Sequence, residues 1–254
     1  MMKVSIITSC FNREATIEHT LNSVLSQTYS DIEYIVVDGA SQDHSLDIIN
    51  TYQDRIAKII SEPDRGMYEG INKGIRVASG DIIGLMHSDD FFFSNDVVVH
   101  IVKIFNQTNA DLIYGNGLFV DDKDTNKIVR NWISGTYSKK KMRRGWLPLH
   151  PTVYIKRDCF IRLGLYDESF KIAADSDFLV RYMYEGDLDI TYLDEYVVCM
   201  RMGGLSTDPE KMKKKWEEDL ILYRNHGFSP YWTLICKIIS KVPQFVSAKF
   251  IKKK

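Results

Sequence analysis

The first 115 residues alternate between two hydrophobic periods. Residues 3–8, 32–38, 56–60, 82–86 and 112–114 are short, β-branched and almost continuously apolar, as strands buried on both faces should be. Between them, apolar residues recur three and four positions apart: Ile17, Leu21, Val24 and Leu25; Leu46, Ile49 and Tyr52; Met67, Ile71, Ile75 and Ala78; Val97, Val98, Ile101, Val102 and Phe105. Strand and helix in alternation predict an α/β fold whose central sheet is mostly parallel, with right-handed crossovers. After Asn116 the pattern loosens. It predicts a strand over 150–157, a helix over 158–163, a helix beginning at 173–177, a strand over 190–202, a Gly203-Gly204 turn, and a helix opened by Asp208 with Pro209 at its first position. The expected organisation is one domain over 1–206, in halves of about 1–115 and 116–206, followed by a helical extension over 207–254.

Charge changes this picture in one place. The chain has 254 residues and a formal net charge of −1. From Leu220 to Lys254 it carries seven basic residues and no acid, so the preceding body is about −8. A basic tail on an acidic body suggests an anionic surface as partner. Within the tail, Trp232, Ile235, Ile239, Val242, Val246 and Phe250 follow helical spacing while Lys237, Lys241 and Lys252 fall on another face, and Pro243 should kink or split the helix. This is the pattern of an interfacial helix with snorkelling lysines on a membrane; a terminal helix packed on the domain with its lysines in water is the alternative. The acidic body does not read as a nucleic-acid binder. Otherwise the composition, 44% hydrophobic and 26% charged, is that of a soluble globular protein. The four cysteines show no C-x-x-C spacing, and no apolar run approaches a signal or membrane-spanning segment, so a reducing, cytoplasmic setting is expected.

In parallel sheets, ligands bind beyond the carboxyl ends of the strands. Those ends are polar here: Thr8-Ser9-Cys10-Phe11-Asn12, Asp38-Gly39-Ala40-Ser41-Gln42-Asp43, Ser61-Glu62-Pro63-Asp64-Arg65-Gly66, and His87-Ser88-Asp89-Asp90. Adjacent carboxylates at Asp89 and Asp90 repel each other unless a cation joins them. Oxygen ligands favour Mg²⁺ or Mn²⁺, shared with a substrate diphosphate, and His87 adds a possible nitrogen ligand. Neither a G-x-x-x-x-G-K-[ST] loop nor a G-x-G-x-x-G turn is present, which removes P-loop and dinucleotide-oxidoreductase readings.

Six segments, SIITSCFNR, YIVVDGASQD, SEPDRGMYEGINKGIRVASGDIIGLMHSDD, HPTVYIKRD, ADSDFLVR and RMGGLS, occur in this order. Together they resemble the motifs of family-2 inverting glycosyltransferases of the GT-A fold, in particular bacterial enzymes of exopolysaccharide, capsule and O-antigen synthesis. The resemblance spans residues 3–206. The Q-x-x-R-W motif of processive synthases is missing, so it implies transfer of a single sugar from a nucleotide diphosphate sugar to a saccharide acceptor, polyprenyl-linked, at the inner face of the membrane. It implies that Thr8, Phe11 and Asn12 border the nucleotide, that Asp38 bonds the base or ribose beside Gly39 and Ser41, and that Asp64 and Arg65 complete the base pocket. Asp89 matches the last acid of the D-x-D metal motif, whose first acid is His87 here. Asp175 matches the general base, with Asp177 as a competitor two residues on.

Inverting transfer is an in-line displacement, so a base on one face must take the acceptor proton as the diphosphate leaves from the other. A carboxylate, with a solution pKa of ~3.9, serves only if proton transfer comes late, and most of the barrier reduction then lies in charge at the leaving group. Arg201 and Lys73 are candidates for that charge beside the metal, and His150 lies near the expected acceptor cleft. Two other readings remain at this point: a sugar nucleotidyltransferase and a catalytically silent saccharide- or nucleotide-binding subunit.

Overall fold

The computed structural model describes residues 2–203 and 209–248. Gly204, Leu205, Ser206 and Asp208, and the tail residues Lys249, Phe250 and Lys252 to Lys254, lie outside the described residues. The strands are β1 (Val4–Cys10), β2 (Ile32–Asp38), β3 (Lys58–Ser61), β4 (Ile82–Leu85), β5 (Phe91–Phe92), β6 (Leu112–Val120), β7 (Ile128–Trp132), β8 (Tyr154–Lys156) and β9 (Ile190–Arg201). The helices are α1 (Ile17–Leu25), α2 (Ser45–Asn50), α3 (Met67–Val77), α4 (Val97–Gln107), α5 (Lys139–Met142), α6 (Arg157–Leu163), α7 (Ala174–Val180), α8 (Pro209–Asn225) and α9 (Pro230–Ala248).

One sheet runs in the order β3-β2-β1-β4-β8-β6-β9-β5, with β7 also paired to β6. The parallel pairing expected from the sequence holds for β3-β2-β1-β4. Beyond β4 the sheet is mixed: β8 is antiparallel to both β4 and β6, β9 is parallel to β6, and β5 and β7 are antiparallel edges.

Period-two alternation sends side chains to two cores. Ile7, Ile35 and Val37 pack with Ile71 and Ile75 of α3, and with α6, α7 and α8. Ile6, Tyr34 and Val36 pack on the other face with α1, α2 and α4. Ile6, Ile35, Val36 and Val37 are fully buried, each worth roughly 1.5–3 kcal/mol relative to exposure.

Two expectations are corrected. The apolar signal at 112–114 is the start of a strand that continues to Val120, through Gly115 and Gly117. Those glycines are not breakers but close approaches: a Cβ would stand 2.6 Å from Val197 at one and 2.4 Å from Leu149 at the other. The tail helix α9 is not split, since it continues through Pro243. Contacts also cross the division drawn at residue 206. Glu218 of α8 is buried and accepts hydrogen bonds from the backbone N–H groups of Lys171, Ile172 and Ala173 at 3.2, 2.8 and 2.9 Å, and Thr233 of α9 donates to the carbonyl of Arg143.

Candidate active site

A cavity of about 1070 Å³ opens beyond the carboxyl ends of β1 and β4 and reaches across to α8 and α9. This is at the upper end of the ~300–1,000 Å³ typical of small-molecule pockets, room for two substrates end to end.

Its near end is built by the strand-end loops. Asn12 adopts φ 52°, a left-handed conformation that asparagine tolerates better than most residues. There its Oδ1 accepts from the N–H of Gln42 at 2.8 Å, while its own N–H donates to Ser41 Oγ at 2.9 Å. The loops after β1 and β2 are thereby locked together, and Phe11 is left 53% exposed on the cavity wall. Asp38 is fully buried. It accepts from Ser61 Oγ at 2.8 Å and from the Ser41 N–H, so it ties the ends of β2 and β3 to this loop. Neither Asp38, Gly39 nor Ser41 lines the cavity; they support it from behind. Thr8 is also buried, 3.1 Å from the Tyr34 hydroxyl.

Asp64 does face the cavity, squeezed between two glycines. A Cβ at Gly39 would lie 2.6 Å from Asp64 Oδ2, and one at Gly70 would lie 3.1 Å away. Its Oδ1 accepts from the Gly66 N–H, and burial holds its carboxyl above the usual range. Arg65 lines the same wall, its guanidinium held by Glu69 and Glu168 at 2.8 and 2.6 Å. Lys73 is not brought to the cavity. It donates to the Pro63 carbonyl at 2.8 Å and pairs with Glu62, which fixes the loop instead.

At the centre, His87, Asp89 and Asp90 all line the cavity, but the two aspartates differ. Asp90 is buried, Oδ1 accepts from the Arg201 N–H at 3.1 Å, and Oδ2 has no hydrogen-bond partner among the described residues. Burial, with Asp89 beside it, raises its carboxyl well above the usual range. Asp89 is half-buried in the cavity. Burial keeps the His87 imidazole neutral, and its ring lies 6.0 Å from that of His150. His150 is itself buried and stands 2.6 Å from the Tyr166 hydroxyl, its pKa pushed down by burial to about 4. Arg201 lines the cavity as well, its guanidinium reaching His19 at 2.7 Å and the Asp122 carbonyl at 3.1 Å, while its buried Nε has no hydrogen-bond partner among the described residues.

Among the described residues no three His, Cys, Asp or Glu side chains converge on a metal site. The donor set nevertheless suits a hard divalent cation in one limited way: Asp89 offers a cavity-facing carboxylate and His87 a neutral nitrogen, and such ions are commonly held by one or two carboxylates with substrate phosphates and water completing the shell.

Asp175 and Asp177 are two residues apart on α7, about half a helical turn, and so face different surroundings. Asp175 lies in the first turn of α7, half-buried on the cavity wall. Burial alone would raise its pKa, but Lys215, His150 and Lys237 outweigh it and hold the carboxylate ionised. Asp177 points elsewhere and lines no part of the cavity. It is bound by Arg181 Nε at 2.8 Å and His226 Nε2 at 3.0 Å, and His226 Nδ1 reaches Glu185 at 2.8 Å. That network rivets α7 to the end of α8.

The far end was not foreseen from the sequence. It is formed by Arg130 and Trp132 of β7, Trp146, Lys215 of α8, and Lys237, Lys241 and Gln244 of α9. Two basic residues of the tail, Lys237 and Lys241, therefore line the cavity, a use that no local pattern announces.

Comparison with known proteins follows this geometry. The model of the family described as glycosyl transferase family 2 matches residues 5–170. A PGL/p-HBAD biosynthesis glycosyltransferase of Mycobacterium bovis (strain BCG / Pasteur 1173P2) is 27% identical over 218 residues, which cover 83% of this chain and 82% of that protein. Among solved structures, S. aureus TarS 1–349 in complex with UDP-GlcNAc superimposes with a TM-score of 0.68 at 17% identity, over 98% of this chain and 73% of that one. The mannosyltransferase PcManGT of Pyrobaculum calidifontis, in complex with GDP-Man and Mn²⁺, gives 0.67 at 15% identity, over 97% and 74%. This chain spans 39% of a longer TarS chain. At these identities the structural likeness is one of fold.

Proposed function

We propose the following reaction for this chain, which belongs to glycosyl transferase family 2 and is a glycosyltransferase: inverting transfer of one sugar from a nucleotide diphosphate sugar to a hydroxyl of a saccharide acceptor. The observation that carries the reading is the placing of Asp175. It is an ionised carboxylate on the cavity wall, with lysine charge beside it.

In this reading the near end holds the donor. Phe11 offers a ring face to the base, while Asn12, Asp64 and Arg65 border the nucleoside. Asp38, Gly39 and Ser41 position those loops from behind, and Thr8 packs beneath them. Asp89, with His87 beside it, would hold a Mn²⁺ or Mg²⁺ ion together with the diphosphate; such an ion supplies positive charge where the leaving group becomes negative. Asp175 accepts the acceptor proton late in the displacement, as suits a carboxylate kept ionised. Asp177 is the rivet that orients α7.

The acceptor class we favour is a lipid-linked saccharide of surface polysaccharide synthesis, used at the inner face of the membrane. Among the described residues no helix is long and apolar enough to cross a membrane. Instead α9 presents Tyr231, Trp232, Ile235 and Ile239 to the outside at 67, 59, 50 and 64% exposure, and four further lysines follow it in the sequence. An apolar face beside basic residues suits an anionic bilayer, each lysine near the surface adding about 1 kcal/mol.

The test is nucleoside diphosphate release from UDP-, GDP- and dTDP-sugars, with water as the default acceptor, in Mn²⁺, in Mg²⁺ and in chelator. Release from donors of one base, supported by either ion, is the expected result. Pyrophosphate as product, or no nucleoside diphosphate from any donor, overturns the reading.

A further inference from the structure

Helix α9 is inside out. A terminal helix on a globular domain normally buries its apolar stripe and leaves its lysines in water. Here Leu234 packs on the core but Tyr231, Trp232, Ile235, Ile238 and Ile239 face outward, whereas Lys237, Ser240, Lys241 and Gln244, spaced three and four apart on one face, line the cavity. Lys237 is only 8% exposed. Turning lysines inward costs desolvation, so something must offset it.

The protein itself offsets only part. Lys237 is bound by Asp219 at 2.8 and 2.9 Å. Arg130 is 7% exposed, stacked 4.3 Å over the Trp132 ring and donating to Gln244 at 2.6 Å. Its Nη2 is buried with no partner among the described residues. No carboxylate among the described residues lies within ion-pair distance of Arg130, Lys215 or Lys241. Four cations, Arg130, Lys215, Lys237 and Lys241, thus face two carboxylates, Asp219 and Asp175. Burial, with the neighbouring cations, pushes Lys241 down to about 7, and burial lowers Arg130 to about 10, as expected where positive charge awaits a counter-charge.

We infer that Arg130, Lys215 and Lys241 form a phosphate-binding subsite at the acceptor end of the cavity, taking a phosphate that the acceptor saccharide still carries. The assignment to the acceptor rests on the reaction proposed above. In an in-line displacement the base and the departing diphosphate lie on opposite faces of the anomeric carbon; Lys215 stands near Asp175, and Arg130 and Lys241 near Lys215, all on elements that carry none of the strand-end loops. A buried multivalent oxyanion satisfies several cations at once, including the orphaned N–H of Arg130.

The test uses the full chain and its Lys215→Gln/Lys241→Gln double variant, with Lys241→Gln alone as a milder second variant. Calorimetry measures binding of geranyl phosphate, of inorganic phosphate, and of UDP and GDP with Mn²⁺. The wild type should bind both phosphate probes, and the double variant should lose about tenfold or more for each, the single variant less, as loss of hydrogen bonds to a charged group implies. Nucleoside diphosphate binding should be unchanged. Geranyl phosphate binding more tightly than inorganic phosphate assigns a lipid-linked source; equal affinity assigns a soluble phosphosaccharide. The inference falls if the wild type binds neither probe, if the double variant binds both as well as the wild type, or if nucleoside diphosphate binding drops in parallel, which would return the cations to the donor. A wild type that binds the phosphate probes but no nucleoside diphosphate would sink the reaction and leave the subsite.

Discussion

The two ends of the cavity are built on opposite principles. The near end is a set of short loops at strand ends, each held by hydrogen bonds to its neighbour, with a carboxylate wedged between glycines. The far end is a wall of long cationic side chains on β7, α8 and α9, held by one buried ion pair, aromatic stacking and Gln244. Specificity at the near end comes from backbone geometry that leaves little freedom. At the far end it comes from charge that needs a partner. The first arrangement should tolerate no added atom; the second should tolerate conservative changes of shape but not of charge.

Asp175 is where the two meet, and the largest effect is expected there. Asp175→Asn removes the proposed base without changing size, and kcat should fall roughly 10²- to 10⁴-fold. Nucleoside diphosphate affinity should persist, since the near end is untouched. If kcat stays near the wild-type value, the division of labour between the two ends is wrong.

Gly39→Ala probes the near end alone. The new Cβ falls 2.6 Å from Asp64 Oδ2, and the Gly70 side leaves that carboxylate little room to retreat. A displacement on the scale of an ångström at a positioned group costs on the order of 10²-fold. Nucleoside diphosphate binding should weaken by up to that amount while phosphate binding at the far end is unchanged, both measured by calorimetry. Equal weakening at both ends would show that they are one coupled site.

That contrast also explains what the sequence disclosed. The strand-end acids were legible because they follow short apolar runs within a few residues, and the parallel order of those strands then gathers them at one edge. Lys73 was misplaced because a lysine beside a loop looks the same whether it reaches for a ligand or, as here, for the Pro63 carbonyl. The far end was illegible for a deeper reason. Lys237 and Lys241 share a helical face, which the spacing showed, but which face of an amphipathic helix turns inward is decided by the partner surface, here Trp132, Arg130 and Asp219. Strand β7 was missed because its pattern, Ile-Val-Arg-Asn-Trp, puts a buried arginine at its centre. Asp177 and Asp175 could not be told apart by spacing. Only the positions of Arg181 and His226 separate the rivet from the proposed base.

The far end should fail by loosening. Glu218→Gln replaces one of two accepting oxygens by an NH₂ group, which cannot accept, and removes the charge from the other, so the three hydrogen bonds from the segment just ahead of Asp175 are lost or weakened; a charged acceptor contributes about 1.5–3 kcal/mol per bond against 0.5–1.5 for a neutral one. A total loss of about 3–4 kcal/mol in thermal or urea unfolding is expected, with a lower kcat and unchanged nucleoside diphosphate affinity. Unchanged stability would mean that α8 is not a structural part of the catalytic unit.

The smallest effect is a dependence on pH at the rivet. His226 places Nε2 3.0 Å from Asp177 and Nδ1 2.8 Å from Glu185, so both nitrogens must donate and the ring must be protonated to satisfy the arrangement. The Asp177 hydrogen bond, working against burial and aided by Glu185, raises its pKa above 6.5. A group with a raised folded pKa contributes fully below its unfolded value and loses that contribution as pH climbs through the folded one. The contribution is therefore complete below about pH 6.5 and fades above it, with a slope of at most about 1.4 kcal/mol per unit for one proton. His87 and His150 do not enter this window, because burial lowers both, but Lys241, pushed down to about 7, titrates within it with the opposite sign, so the His226 contribution is read as a difference from a variant that keeps Lys241. Below pH 6.5 the wild type should melt above the His226→Gln protein, and that margin should shrink as pH rises above 6.5, because the titrating imidazole proton is gone from the variant while Lys241 titrates in both. Since His226 holds α7 to α8, the same rise in pH should blunt kcat before it touches nucleoside diphosphate affinity. A wild-type profile parallel to that of the variant would mean that the ring is neutral, and that Arg181 alone holds Asp177 away from the cavity.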